Sequence, residues 1–247
     1  MFHPLTVIIP CKNEREHLAA CIASAKLLAA DVLVADSGST DGSLEIARAL
    51  GCRVIEREYR TSGDFKNWAI PQAANPWVMI LDADERITPE LAAEVAQVLA
   101  DPKHDGYRIP RLNHFLGHPI RHGPWQNDDC LRLFRRDLGR YVGPTDHADV
   151  ELAGDRVGRL REAMIHYTCT SYEQYLPKLQ RYAAVQARAV LAAEAHTAPP
   201  VRAIDLLFRN STHTTITITT ITTIARACKT AAKKSFCFSV RKFLHKK

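Results

Sequence analysis

Hydrophobic runs and helical repeats alternate along the first hundred residues. Leu5-Thr6-Val7-Ile8-Ile9-Pro10 has the length and β-branched content of a buried strand. Leu18, Cys21, Ile22, Ala25 and Leu28 then recur at helical spacing. Val32–Ala35 reads as a second strand, closed by Asp36. Leu44, Ala47 and Leu50 carry the next helix, and Gly51 supplies its left-handed stop. Cys52–Ile55 is a third strand. A helical piece around Phe65–Ala74 must bend or break at Pro71. Trp77-Val78-Met79-Ile80-Leu81 is a fourth, fully apolar strand that runs into Asp82-Ala83-Asp84-Glu85. Thr88-Pro89-Glu90 opens a helix with a cap, a proline at the first position and an acid in the first turn. Leu91, Val95, Val98 and Leu99 line its buried face. Such alternation predicts an α/β fold, a mostly parallel sheet with right-handed crossovers and helices on both faces.

Past residue 105 the helical period is lost. Proline, glycine, histidine and aromatics crowd residues 107–147, which predicts short strands and long functional loops. Leu131–Arg136 alternates like a half-buried strand, and Ala163–Tyr167 reads as another. Ser171 to about Ala195 is expected to be a long helix, ended by Ala198-Pro199-Pro200. Residues 211–224 are a Thr/Ile-rich low-complexity segment. Three parts follow: 1–104, the alternating strand-and-helix half; 105–208, a smaller half with the long helix; and 209–247, the low-complexity segment with a basic tail.

Composition sharpens this in two places. The net charge of +6 is a property of the tail: residues 225–247 hold eight Lys or Arg and no acid. Without those eight, 25 basic residues face 27 acidic ones, a body near −2. That argues against a nucleic-acid-binding core and for a tail that meets an anionic surface, with Phe236, Phe238, Phe243 and Leu244 interleaved for membrane contact. The seven cysteines are odd in number and never spaced C-x-x-C, so neither a disulfide framework nor a zinc knuckle is indicated. No apolar run is long enough to cross a bilayer, and no leader pattern opens the chain, so a cytoplasmic location is expected.

Three strand ends present polar groups on one edge: Asn13 and Glu14, Asp36, and Asp82 with Asp84. Ligands of open α/β sheets bind outside the carboxyl ends of strands. Two aspartates one residue apart can hold a divalent cation there, and the cation a diphosphate. An Asp-x-Asp alone is more often an acidic turn in solvent, so its flanks decide. Neither G-x-x-x-x-G-K-[ST] nor G-x-G-x-x-G occurs, which removes the main support for an ATPase or nicotinamide enzyme.

Four stretches in this order resemble the family 2 glycosyltransferases of the GT-A fold: Val7–Glu14, Val34–Gly42, Phe65-Lys66-Asn67 and Leu81–Glu85. Arg121-His122-Gly123-Pro124-Trp125, Leu131–Arg136, His147 and Ile165-His166-Tyr167 bring the likeness closest to the lipopolysaccharide inner-core glucosyltransferase branch. The likeness spans about residues 5–208. It implies an inverting, metal-dependent transfer of a hexose, glucose first, from a UDP-sugar to a lipopolysaccharide core or other lipid-linked saccharide. Pro10, Cys11, Asn13 and Glu14 would pack on the nucleotide, Asp36 with Ser37 would read the uracil, and Lys66 would lie near the diphosphate. Asp82, with Ala83 next to it, would face the ribose or stand behind the metal ligands, and Asp84, with Asp82 beside it, would hold Mn²⁺ or Mg²⁺. The base must stand across the sugar from the metal. Asp128, Asp129, Asp146 and Asp149 are its candidates, Asp128 the first choice, with His147 and His166 as imidazoles able to reach metal or diphosphate. Trp125 fits an acceptor-side loop.

Two departures stand out. The branch usually carries His-Glu where His147-Ala148-Asp149 stands here; if that Glu is the family's working carboxylate, Asp146 or Asp149 must replace it, or activity is lost. Residues 210–247 lack the family's apolar, aromatic ending, which either a divergent tail or a shifted reading frame explains. A nucleotidyltransferase is the rival enzyme, and a non-catalytic sugar-nucleotide-binding or membrane-adaptor protein the rival of another kind.

Overall fold

The computed structural model describes residues 4–123, 125–126, 128–143, 149–154, 156–173, 175–177 and 180. The chain divides into two units, Met1–Gln174 and Tyr175–Lys247, and nearly all described residues belong to the first. The rest of the expected long helix, the Thr/Ile segment and the basic tail lie outside the described residues, as do Pro124, Asp146 and His147.

The first half is built as its pattern dictates. The elements are β1 (Leu5–Cys11), α1 (Arg15–Ala25), β2 (Asp31–Asp36), α2 (Ser43–Ala49), β3 (Arg53–Glu56), α3 (Ser62–Ala69), β4 (Trp77–Ile80), the two-residue β5 (Glu85–Arg86) and α4 (Pro89–Ala100). A 3₁₀ turn over Ile70–Gln72 follows α3 and takes up Pro71, where the helix had to stop. The Thr88 hydroxyl caps α4 by accepting from the Leu91 amide at 3.1 Å.

The second half supplies β6 (Gly106–Phe115), β7 (His118–Pro119), β8 (Asp129–Arg135), β9 (Gly139–Val142), β10 (Asp149–Leu152), β11 (Val157–Arg159) and β12 (Met164–Cys169). Among the described residues one sheet runs in the order β3-β2-β1-β4-β8-β6-β12-β5. Both β7 and β11 pair with β6, while β9 and β10 form a separate hairpin. The four strands from β3 to β4 are parallel, and β8 enters antiparallel beside β4.

Period-two alternation divides the core between the two faces. Leu5, Val7, Ile9, Val34, Met79 and Leu81 pack with Leu18 and Ile22 of α1, Ala47 of α2 and Leu91 and Val95 of α4. Ile8, Leu33, Ala35, Val78 and Ile80 face Phe65 and Ala69 of α3, together with Phe134 and Tyr141. Helices thus cover both faces. The hairpin closes tightly on the second: a Cβ at Gly139 would overlap the Phe134 ring.

Two expectations need correction. Gly106–Phe115 is not loop and short strand but one ten-residue strand, β6. Its alternation is obscured because Arg111 and Asn113 make ion pairs or polar contacts on the inward face, where apolar side chains would usually stand. Leu131–Phe134 does not alternate between core and solvent; all four side chains are buried, Arg132 among them.

Candidate active site

The sheet reverses direction of growth between β1 and β4, the place where open α/β sheets leave a crevice. Asp36 ends β2 level with Cys11 of β1. The Leu81 amide donates to the Ile8 carbonyl, so Asp82 leaves β4 at the same edge. Two strand spacings, roughly 10 Å, separate the strands that carry the two aspartates.

On the β1–β2 side two loops are laced together. The Asn13 amide donates to Ser39 Oγ at 2.8 Å, and Asn13 Oδ1 accepts from the Thr40 amide at 2.8 Å. The Glu14 amide donates to Ser43 Oγ, and the Arg15 amide to Asp41. Asn13 adopts φ 55°, a region that asparagine tolerates better than most residues. Asp36 is fully buried, and its Oδ1 accepts from the amides of Gly38 and Ser39, each at 2.7 Å. The carboxylate therefore shapes its own loop. The Ser37 amide and hydroxyl both donate to the Cys11 carbonyl, and burial pushes the Cys11 thiol up to about 11. Pro10 sits one residue earlier on β1, opposite Ala35.

The β4 side is an ionic network. The Asp82 amide donates to Glu85 Oε2 at 2.9 Å, which closes the turn around the buried Ala83. Asp82 Oδ1 lies 3.2 Å from Lys66 Nζ, and Oδ2 lies 2.5 Å from Arg132 Nη2. The same Arg132 nitrogen reaches Glu85 Oε1 at 3.0 Å. Arg111 stands 3.6 Å from Glu85 and 2.8 Å from Asp128. Asn113 Nδ2 donates to Asp128 Oδ2 at 2.8 Å, and Asn113 Oδ1 lies 2.6 Å from His166 Nδ1. His166 Nε2 faces Asp84 Oδ2 at 3.6 Å, which closes the circuit.

Charge is unevenly satisfied around this circuit. Burial works against the Asp82 charge, but Arg132 and then Lys66 hold its carboxyl well below the usual range. Burial raises Glu85, against the pull of Arg132, and the neighbouring charges of Asp82 and Asp84 add to the rise. Burial also opposes the Asp128 charge; the bonds from Arg111 and Asn113 outweigh it and keep the group low. Among the described residues no Lys or Arg lies within ion-pair distance of Asp84; its charged-range neighbour is His166.

The sequence-derived candidates therefore separate. Lys66, Asp82 and Asp84 come together, with Ala83 inside their turn. Lys66 is no ordinary surface lysine: its ammonium is paired and stands 5.0 Å over the Tyr141 ring. Asp128 joins the network, but both its oxygens are engaged. Asp129 pairs instead with Arg108 and Arg159. Asp149 is exposed at the start of β10, opposite Val142. Trp125 is partly exposed, and its carbonyl accepts from Asn113 Nδ2 at 3.5 Å. Glu85, Arg111, Asn113 and Arg132 were missed as network builders. Arg132 was readable in principle, as a cation in an otherwise apolar strand, whereas Asn113 has no sequence signal.

The model of glycosyl transferase family 2 matches residues 6–148, more than half of the chain. The chain belongs to this family. The transferase is 31% identical over 198 residues to an uncharacterised glycosyltransferase of Rickettsia felis, covering 74% of this chain and 69% of that one. It is 27% identical over 222 residues to the lipopolysaccharide core biosynthesis glycosyltransferase LpsC of Rhizobium meliloti, covering 84% and 82%. Its fold matches glucosyl-3-phosphoglycerate synthase of Mycobacterium tuberculosis, solved with Mn²⁺, UDP and glucosyl-3-phosphoglycerate, at TM-score 0.52 and 16% identity over 81% of each chain. TarS of S. aureus, solved with UDP-GlcNAc, matches at TM-score 0.51 and 17% identity, covering 69% of this chain and 60% of that one. The glycosyltransferase thus has the GT-A architecture, and no described helix of it is long and apolar enough to cross a membrane.

Proposed function

We propose that this glycosyltransferase moves a hexose, glucose first, from a UDP-sugar to a lipopolysaccharide core or other lipid-linked saccharide, with inversion and with a divalent cation. The kinship to LpsC supports the acceptor class. The UDP donor and the cation draw on what the two fold neighbours were solved with.

One observation carries the cation reading. Asp82 is neutralised by Lys66 and Arg132, while Asp84 faces an imidazole and no Lys or Arg among the described residues. The expectation that both aspartates ligate the metal is revised accordingly: Asp84 with His166 would hold it, and Asp82 anchors the turn. No cluster of three or more metal-ligating side chains occurs among the described residues. Two protein groups still suit Mn²⁺ or Mg²⁺, which take few carboxylates and complete their shell with substrate phosphates and water. A cation there would stabilise the departing diphosphate.

The chain's own residues do the rest. The laced loops around Asn13, Glu14, Asp36 and Ser37 present a preformed wall for the nucleoside, and Lys66 adds positive charge near the phosphates. The proton acceptor falls to Asp146, His147 or Asp149 rather than Asp128, whose carboxylate is held by Arg111 and Asn113. The basic tail adds contact with an anionic membrane surface, at about 1 kcal/mol per cation near the headgroups.

UDP release tests the reading. UDP-glucose, UDP-galactose and UDP-GlcNAc are offered with Mn²⁺, Mg²⁺ or chelator, each with and without lipopolysaccharide core acceptor. Acceptor-dependent release that chelator abolishes is expected, together with a loss of more than about 100-fold in Asp84→Asn. Full activity of that variant removes the metal role. No UDP release from any UDP-sugar, with pyrophosphate released instead from UTP and glucose 1-phosphate, establishes the nucleotidyltransferase, and donor binding without turnover the non-catalytic protein.

A further inference from the structure

Asn113 is a buried amide whose two ends are chemically committed. It lies on β6 at 2% exposure. Its Nδ2 meets Asp128 Oδ2 at 2.8 Å and the Trp125 carbonyl at 3.5 Å. An ionised carboxylate and a carbonyl can only accept. The –NH₂ end must therefore face them, and the oxygen must face His166. Reversing the amide would set oxygen against oxygen at both contacts.

The consequence passes to the imidazole. A carbonyl oxygen 2.6 Å from His166 Nδ1 requires that nitrogen to carry the proton. In the neutral ring Nε2 is then bare, and its lone pair is the one that faces Asp84 Oδ2 at 3.6 Å. Both side chains spring from paired backbone. Asn113 and His166 are register partners on the parallel strands β6 and β12, and His166 is also register partner to Glu85 of β5. Two acceptors pointed at each other call for a positive charge between them.

The same residue reaches the acceptor-side loop. The Asn113 carbonyl accepts from the Ile120 amide at 2.7 Å, and the Arg111 amide donates to the Asp128 carbonyl at 2.8 Å. Both ends of the segment that carries the exposed Trp125 are thus tied to β6.

We propose that Asn113 is a positioning residue: it holds His166 as the Nδ1–H tautomer with Nε2 bare toward Asp84, and it ties that imidazole to the loop bearing Trp125. The tautomer stands independently of any cation. What it is for rests on the cation reading above, since a bare Nε2 beside a carboxylate is half of a divalent-metal site.

The test uses the full chain with ¹⁵N-labelled histidine, free of metal, at alkaline pH. Long-range ¹⁵N–¹H correlation separates the two tautomers, and His166→Gln identifies the resonance. The Nδ1–H form is expected in the wild type and in Asn113→Asp, which keeps an acceptor opposite Nδ1. A shift toward Nε2–H is expected in Asn113→Ala. Mn²⁺ affinity in the presence of UDP, read by electron paramagnetic resonance, should fall about 10- to 100-fold in Asn113→Ala and stay within a few-fold in Asn113→Asp. Asn113→Asp, which loses the donor to Trp125 and Asp128, should instead raise the acceptor KM with donor KM unchanged. An Nε2–H wild type overturns the proposal, as does an Asn113→Ala variant with unaltered tautomer. Should Asn113→Ala not fold, the wild type and Asn113→Asp still decide. A wild type with the expected tautomer but no Mn²⁺ binding overturns the cation reading alone.

Discussion

Arg132→Met should unfold this protein more readily than any surface change. Methionine preserves much of the buried stem and removes the charge. Arg132 is 6% exposed and donates to Asp82 and to the fully buried Glu85. Without it Asp82 keeps Lys66, while Glu85 keeps the Asp82 amide and an arginine 3.6 Å away. Removing one partner from a buried ion pair costs about 3–5 kcal/mol. Against the usual 5–15 kcal/mol for a domain, that is about a fifth of the total or more. Urea unfolding followed by tryptophan fluorescence at pH 7 measures it. The pH dependence supplies a sign. Asp82 is held low by Arg132, so its share of stability is present above about pH 3.9 and lost as pH falls through its folded value. Glu85 is held high by burial, so its share is present at acid pH and lost as pH rises through its folded value. Removing Arg132 takes away the first and deepens the second loss, so the deficit should be greatest near neutrality and shrink toward pH 4. A deficit under about 1 kcal/mol at pH 7, or one that grows on acidification, refutes the reasoning.

Gly139→Ala should cost about 1–3 kcal/mol, because its methyl would overlap the Phe134 ring; an unchanged melting midpoint would contradict that packing. Thr88→Ala should cost about 1 kcal/mol by removing the cap of α4, measured by chemical denaturation. Burial works against the Asp31 charge, but the bonds from Arg53 and Thr6 hold its carboxyl below the usual range. Its stabilisation is present above about pH 3.9 and lost as pH falls through the folded value. Arg53 is partly exposed, so Arg53→Met should cost only about 0.5–1 kcal/mol at pH 7 and less in strong acid, where only its bonds to the Gln72 carbonyl remain to be lost. Calorimetry with UDP should show weaker binding to Asp36→Ala, and vesicle sedimentation should fall when 225–247 is deleted.

The first half of the fold was legible because its residues obey one local rule at a time. Val7 to Ile9 and Val78 to Leu81 are apolar throughout, as strands covered on both faces must be. Gly51, Pro71 and Thr88 mark the helix boundaries between them by local chemistry alone. Beyond residue 105 the same rule misleads. Arg111, Asn113 and Arg132 lie in strands whose partners are carboxylates or imidazole, so polarity there signals a buried ionic layer rather than loop. Asp82 and Asp84 were found together from the motif, but what distinguishes them is supplied by Lys66 and Arg132, 16 residues before and 50 after Asp82. No window of sequence brings those four side chains into view.

The stitching of Asn13 to Ser39 and Thr40, Glu14 to Ser43 and Arg15 to Asp41 makes one rigid lip out of two crossovers. Neither segment can shift without the other. Under the proposed function, a nucleoside arriving there would find its seat already set and give up little ordering entropy on entry. Amide exchange at 13–15 and 39–43 should accordingly slow or quicken in concert, as one opening event.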